Sequence, residues 1–359
     1  MKRLFVFLLI LVVGILSLNG CSDNAYLWQS VKGHWSLMSR AQPIADILAR
    51  KDAPQDVRKQ LGTVVRLREF AVDTLHLPDS GSYRKYADLE RPYAVWNLVV
   101  APELSLELNQ WCFPVVGCVT YRGYYDEDSA RTLAEQFSVQ GFDVDVYGVQ
   151  AYSTLNWFDD PVLNTFLSSD DLRLAALLFH EMSHQVIYVR DDTAFNEAFA
   201  KTVEREGVRR WLQASGSDEL WQAYLQREDK SSAFYGLLAH VRDELRRAYD
   251  AGIDNDHKRL AKQEIMQQAH ADYEALKTVW DGYAGYDAWM QRGLNNARLS
   301  SVATYHELVP AFQALLAHVD HDLQKFYLEV KALGGLSKAE RLAKLQSLAP
   351  DLRIANKQP

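Results

Sequence analysis

The chain has 359 residues, of which 48% are hydrophobic and 11% aromatic. This composition excludes an intrinsically disordered protein and supplies enough apolar side chains for a substantial core. The formal net charge is −8, and no segment is rich in lysine and arginine. Nucleic acid is therefore not expected as a partner, because binding to phosphates needs a concentrated basic surface.

The first 20 residues have the layout of an export signal. Lys2 and Arg3 precede a run of apolar and small residues over 4–18, and this run is shorter than the ~20 residues that a membrane-spanning helix needs. We predict that residues 1–20 are a signal peptide; an uncleaved membrane anchor is the alternative. Loss of Lys2 and Arg3 with the signal would change the net charge from −8 to −10.

The end of this segment resembles the lipobox of bacterial lipoproteins. A small residue, Gly20, precedes Cys21, and in lipoproteins such a cysteine carries the lipid and becomes the mature N-terminus. We expect Cys21 to anchor the protein to a membrane of the bacterial cell envelope, with the domain facing the periplasm. Aspartate directly after the cysteine often marks inner-membrane retention. Here Ser22 has that place and Asp23 follows, which slightly favours the outer membrane.

Hydrophobic periodicity divides the rest of the chain into four segments. Residues 22–75 and 214–348 have apolar positions three and four apart, which is typical of amphipathic helices. Residues 90–155 contain β-branched and aromatic runs that predict a small sheet. Residues 170–213 predict two more helices, which carry the candidate site. The order indicates a single α+β domain over 21–350, mostly helical, with the sheet beside the first site helix.

Two cysteines remain beyond Cys21, namely Cys112 and Cys118. In an exported protein such a pair favours a disulfide, whereas in the cytosol it would suggest a metal or redox site. Pro114 and Gly117 lie between them and allow the chain to turn back. The alternative is two unpaired, buried thiols.

The segment "LLFHEMSHQVIYV" contains two histidines four residues apart. His180 and His184 would project from the same face of a helix that we expect to end near Val189. Two imidazoles one turn apart can both bind a tetrahedral zinc ion. Glu181 stands beside the first histidine, as a general base acting on zinc-activated water must. A pair of histidines satisfied within the core is the alternative.

A third zinc ligand follows from the next helix, which we expect to begin near Ala194. We assume that the two helices pack antiparallel about a turn near residue 190. His184 and Glu197 then each lie ~10 Å from the turn along their own helix, and therefore beside each other. Glu197 is therefore predicted to complete the metal site, with one position left open for water. The neighbours of Glu197 are alanines and phenylalanines, so an exposed glutamate, the alternative, is disfavoured there.

The same calculation from the rise per residue places Glu204 near the ring nitrogen of His180 that faces away from the predicted metal. It is a candidate to orient that histidine from behind, and Asn196 has similar potential. A solvated glutamate is the alternative for Glu204. If Glu197 did not bind the metal, Glu204 and Asp191 would be the next candidates.

The segment "LFHEMSHQVIYVRDDTAFNEAFAKTVEREGVRRWL" resembles the core of a family of bacterial lipoproteins described as putative aminopeptidases, which belong to the gluzincin-like HExxH-plus-Glu zinc peptidases. The resemblance extends to "FPVVGCVTYRGYYD" and "LNNARLSSVATYHELVPAF" and covers roughly 22–345. It implies a zincin-like fold, one Zn²⁺ bound by His180, His184 and Glu197, and catalysis by Glu181. The G-x-M-E-N sequence with which well-studied zinc aminopeptidases bind the substrate's amino terminus is absent, so exopeptidase and endopeptidase activity both remain open.

Two further roles have weaker candidates. The segment Gln150–Leu155 is a candidate edge strand for pairing with the substrate backbone, with an ordinary core strand as the alternative. Tyr305 and His306 are candidate donors to the oxyanion of the transition state, although structural packing is the alternative for both.

These observations predict a lipid-anchored zinc peptidase with a peptide substrate. One alternative is a zinc hydrolase of non-peptide amides in the cell wall. Another is a non-catalytic lipoprotein that uses the fold for binding or as a chaperone, and the intact Glu181 disfavours it. The sequence does not indicate an oligomeric state.

Overall fold

The computed structural model describes residues 21–113, 117–151, 154, 158–167, 170–303 and 308–349, without the side chains of 21–25 and 303. The predicted signal peptide, Tyr305 and His306 lie outside the described residues. Of the candidate edge segment, only residues 150, 151 and 154 are described.

Fourteen helices occur within the described residues: α1 (Cys21–Ser39), α2 (Ile44–Ala49), α3 (Gln55–Asp73), α4 (Glu127–Val139), α5 (Asn164–Leu167), α6 (Asp171–Ser183), α7 (Thr193–Ala214), α8 (Asp218–Asp250), α9 (Asn255–Val279), α10 (Asp287–Gln291), α11 (Asn296–Ala303), α12 (Val309–His318), α13 (Leu323–Gly334) and α14 (Lys338–Leu348). The strands of the described residues are short: β1 (Gln42–Pro43), β2 (Lys85–Ala87), β3 (Val95–Pro102), β4 (Trp111–Phe113), β5 (Gly117–Val119), β6 (Arg122–Tyr124), β7 (Phe142–Val149) and β8 (Val162–Leu163). The expected α+β class with mostly helical content is confirmed.

The principal sheet has the order β6-β3-β7, with antiparallel pairing throughout. Its central strand, β3, is buried on both faces because helices cover both, and Asn97 is its one buried polar side chain. Trp96, Leu98 and Val100 pack with α4 on one side, whereas Val99 and Ala101 pack against Ala297 of α11 on the other.

The outer edge of β7 is covered by polar side chains. The carbonyl oxygen of Val144 accepts a hydrogen bond from Asn295 at 2.9 Å, and that of Val146 accepts one from Arg292 at 2.8 Å. Covering an edge in this way prevents another strand from pairing with it.

The main hydrophobic core surrounds α6. Leu174, Leu178 and Phe179 of α6 are fully buried and pack in one cluster with Phe199 of α7 and Phe326 of α13. α6 packs chiefly against α7 and α3, whereas the principal sheet packs chiefly against α4 and α11. The short sheet β1-β2-β8 leads through α5 directly into α6.

Cys112 and Cys118 form a disulfide, so the predicted bridge is confirmed. They are directly opposite each other in the antiparallel hairpin of β4 and β5. The backbone N–H of Cys118 donates to Asp191 Oδ1 at 2.9 Å. The hairpin is thereby joined to the turn between α6 and α7.

Among the described residues, no helix combines the length and the apolar character needed to cross a bilayer.

Candidate metal centre

The helix α6 begins at a capped N-terminus and carries both histidines near its end. Asp170 accepts a hydrogen bond from the backbone N–H of Arg173 at 2.7 Å, which satisfies one of the free donors of the first turn. The helix ends at Ser183, so the predicted end near Val189 is wrong. His184 keeps helical dihedral angles, φ −59° and ψ −17°, and the one-turn spacing from His180 therefore holds.

Tertiary contacts explain the early end of α6. The side-chain amide of Asn196 binds both backbone groups of Val189: its oxygen accepts from the N–H and its nitrogen donates to the carbonyl, each at 2.8 Å. This pairing holds Val189 outside the helix. The β-branched Val186 and Ile187 also favour helix less than unbranched residues do. Asn196 thus fixes the turn between α6 and α7, and its side chain makes no hydrogen bond to a histidine among the described residues.

The helix α7 begins at Thr193, close to the predicted start. Asp192 caps it, accepting from the N–H of Phe195 at 3.4 Å, and forms a buried ion pair with Arg341 of α14 at 2.6 Å. The C-terminal helices therefore hold the first turn of α7 in place.

The structure brings His180, His184 and Glu197 together. One ligand atom of each lies within 4.8 Å of the others, and among the described residues this is the group of three or more such side chains arranged to hold a metal ion. Glu197 Oε2 lies 3.2 Å from His180 Nε2, and Glu197 Oε1 lies 3.8 Å from His184 Nε2.

These separations fit a zinc ion. Tetrahedral zinc with bonds near 2.1 Å keeps its ligand atoms about 3.4 Å apart, and here one oxygen of Glu197 lies 3.2 Å from His180 and the other 3.8 Å from His184. Neither ring nitrogen of His184 is hydrogen-bonded to a described residue: Nδ1 is buried without a partner, and Nε2 is 3.8 Å from Glu197. An unsatisfied, buried imidazole is costly unless it binds something. Two imidazoles and a carboxylate are also the donor types that zinc prefers.

The electrostatics of the two histidines differ. Burial lowers the pKa of His184 to about 4, so its imidazole is neutral, as a metal ligand must be. Burial also opposes charge on His180, but hydrogen bonds to Glu197 and Glu204 outweigh it and raise the pKa of His180 to about 10. A positive charge between these carboxylates is therefore favourable, and a metal ion would supply it in place of the proton.

Glu204 contacts the ring nitrogen of His180 that faces away from Glu197, as the rise per residue predicted. Its Oε2 lies 3.2 Å from His180 Nδ1, and its Oε1 accepts from Lys201 at 2.7 Å. Lys201 also lies 3.4 Å from Glu228 of α8. Glu204 is thus held by Lys201 on one side while it orients the imidazole on the other.

The carboxylate of Glu181 has no hydrogen bond or ion pair with any described residue, although its neighbours on α6 are engaged. Burial raises the pKa of Glu181 to about 7, although the charge of His180 acts in the opposite direction. A cation among His180, His184 and Glu197 would lower this pKa, since opposite charge stabilises the carboxylate. An unengaged carboxylate with a pKa near neutrality is suited to accept and return a proton.

Four tyrosines are within electrostatic reach of Glu181 or Glu197, and none of them was among the predicted site residues. Burial raises the pKa of Tyr83, and the charge of Glu181 raises it further. Burial likewise raises the pKa of Tyr121, Tyr147 and Tyr188, with a further contribution from the charge of Glu197. The one sequence signal was the aromatic segment "YRGYY", which begins with Tyr121.

Asp191 is not placed to bind the metal. It adopts a left-handed backbone conformation, φ 61°, and its side chain faces Cys118 and Arg190. Its role is in the turn.

Two histidines lie one turn apart, and a glutamate of the adjoining helix lies beside them. This arrangement is that of a candidate mononuclear metal centre, with an acid–base group next to it. The comparison with protein families narrows this class: the chain belongs to the family described as "Putative aminopeptidase", whose model matches residues 25–345. No curated protein and no solved structure matches the chain.

Proposed function

We propose that this protein is a zinc-dependent peptidase with a zincin-like arrangement of α6 and α7. The observation that carries the proposal is the convergence of His180, His184 and Glu197 within 4.8 Å, beside the unengaged carboxylate of Glu181. The family description supports peptide hydrolysis as the reaction. His180, His184 and Glu197 would hold one zinc ion per chain.

Zinc in this position would act as a Lewis acid toward water and the scissile carbonyl. Glu181 takes one proton from the attacking water while the water oxygen bonds to the carbonyl carbon. It then delivers that proton to the amide nitrogen as the carbon–nitrogen bond breaks, so the products are a carboxylic acid and an amine. General acid–base catalysis of this kind contributes about 10²–10⁴-fold to the rate.

Tyr121 is our candidate donor to the oxyanion. Burial and, to a lesser extent, the charge of Glu197 raise its pKa, so its phenol is protonated and able to donate a hydrogen bond. Tyr147 is less suited because its hydroxyl is engaged with Asn97. Tyr305 and His306 remain predictions outside the described residues.

We also propose that Cys21 carries a lipid that anchors the protein in the cell envelope, with the domain in the periplasm. Metabolic labelling with a fatty-acid analogue is expected to label the wild-type protein and not Cys21→Ser. Continued labelling of that variant would refute the lipid anchor.

The test of the activity is a peptide library incubated with the purified protein, with products identified by mass spectrometry. The expected result is cleavage that a chelator abolishes, that added zinc restores and that Glu181→Gln lacks. The positions of the cleaved bonds distinguish exopeptidase from endopeptidase activity. Cleavage of cell-wall amides without cleavage of any peptide, or no hydrolysis of either, would refute the peptidase.

A further inference from the structure

Four exposed apolar side chains of α1 lie away from the domain, whereas Tyr26 and Leu37 on its other side pack against the core together with half-buried polar residues. Four exposed side chains form a stripe at helical spacing, and the two tryptophans among them are 71% and 75% exposed: Leu27, Trp28, Val31 and Trp35. Apolar side chains of a helix on a soluble domain normally face the core. α1 follows this rule with Leu37 but also carries a second apolar stripe that stays exposed.

The inward face is fixed to the domain by specific contacts, so α1 cannot turn its stripe inward. The side-chain oxygen of Gln29 accepts from the N–H of Tyr125 at 3.2 Å, and Tyr26 stacks on Phe113 with ring centroids 5.4 Å apart. Gly33 lies against the ring of Tyr125, where a Cβ would fall 2.1 Å from a ring carbon. The stripe is therefore held outward by the fold.

We infer that α1 lies in the surface of a lipid bilayer, with this stripe inserted among the headgroups. Tryptophan concentrates at membrane interfaces, where its ring is half apolar and its N–H stays hydrated. The exposed Lys32 lies on the same face and can extend toward lipid phosphates. Cys21, the residue predicted to carry the lipid, lies in the first described turn of α1, so a bilayer holding that lipid would be close to this helix.

Apolar burial, and not charge, would drive this contact. The chain has a net charge of −8, so anionic lipid headgroups would repel the domain as a whole. Interfacial helices bind in proportion to the apolar area that they bury. Because α1 packs on the residues of β6 through its inward face, insertion would also fix the orientation of the domain on the membrane. The inference requires neither zinc nor peptidase activity.

The test uses the mature chain from residue 21 with Cys21→Ser, so that no acyl chain contributes to binding. We expect it to bind phosphatidylcholine vesicles, with tryptophan emission shifted to shorter wavelength and quenched by lipids brominated in the acyl chains. Binding should persist in about 0.5 M NaCl, because salt screens charge and not apolar burial. The double variant Trp28→Ser/Trp35→Ser should partition at least about tenfold more weakly.

The matched control is Val139→Ser/Val279→Ser, which alters two isolated apolar side chains that are 78% and 77% exposed. It should bind vesicles as strongly as the parent chain, and circular dichroism should show all three proteins equally folded. Quenching of the acylated full-length protein in brominated vesicles gives a second measurement that needs no variant. Absence of vesicle binding, or equal binding by the tryptophan variant, would overturn the inference. So would a dimer in solution that the tryptophan variant abolishes without any lipid binding, because the stripe would then contact a second copy.

Discussion

Substitution of Glu204 tests whether this residue, which contacts His180 on the side away from Glu197, affects metal affinity. Glu204 uses one oxygen for His180 Nδ1 and the other for Lys201. Glutamine has a single accepting oxygen, so in Glu204→Gln either the imidazole or the ammonium loses its partner. Loss of such a carboxylate behind a metal-binding histidine costs about 10–100-fold in metal affinity, equivalent to about 1.4–2.7 kcal/mol.

Competition with a fluorescent zinc chelator near neutral pH measures this affinity directly. The matched control is Glu264→Gln, which removes the same charge from an exposed position of α9 and should leave zinc affinity unchanged. Lys201 keeps only the longer contact with Glu228 at 3.4 Å when Glu204 is lost. The free energy of unfolding of the zinc-free variant should therefore also fall, by about 1–3 kcal/mol. Equal zinc affinity in Glu204→Gln and the control would refute a role for Glu204 at the metal.

The remaining predictions concern pH, the turn and the oxyanion. His180 has a folded-state pKa of about 10, above its usual 6.5, so its contribution to stability is complete below pH 6.5 and declines as pH rises toward 10. In zinc-free protein the free energy of unfolding should fall by about 2.5 kcal/mol between pH 7 and 9, and by much less in His180→Gln or with zinc bound; equal slopes in urea titrations would contradict this. Glu181, with its pKa of about 7, contributes mainly below that window. Arg341→Ala should cost about 3–5 kcal/mol in urea unfolding because it leaves the buried Asp192 with only the distant Lys338 at 3.9 Å and the N–H of Phe195 at 3.4 Å, and a loss below 1 kcal/mol would show that the pair does not hold the turn. Tyr121→Phe should lower kcat about 10²-fold with zinc content unchanged, whereas an unchanged kcat would exclude Tyr121 as the oxyanion donor.

The local part of the site was predictable from the sequence. Spacing along a helix brought His180 and His184 together, and the rise per residue placed Glu197 and Glu204 at the correct levels of α7. These inferences depend only on helix geometry and on one antiparallel packing.

Contacts between distant segments could not be predicted in this way. The end of α6 depends on Asn196 binding the backbone of Val189, because this pairing holds Val189 outside the helix. The pairing of Arg341 with Asp192 joins positions 149 apart in the chain. Tyr83 belongs to a loop, and hydrophobic periodicity does not predict where a loop residue lies relative to the site.

The zinc content of three purified proteins tests the metal centre most directly. Wild type and Glu181→Gln should each hold close to one zinc per chain, because Glu181 is not among the three ligand residues. Glu197→Ala should hold far less, since it removes the carboxylate that lies between the two histidines. Full zinc occupancy in Glu197→Ala, or none in wild type supplied with zinc, would contradict a site formed by His180, His184 and Glu197.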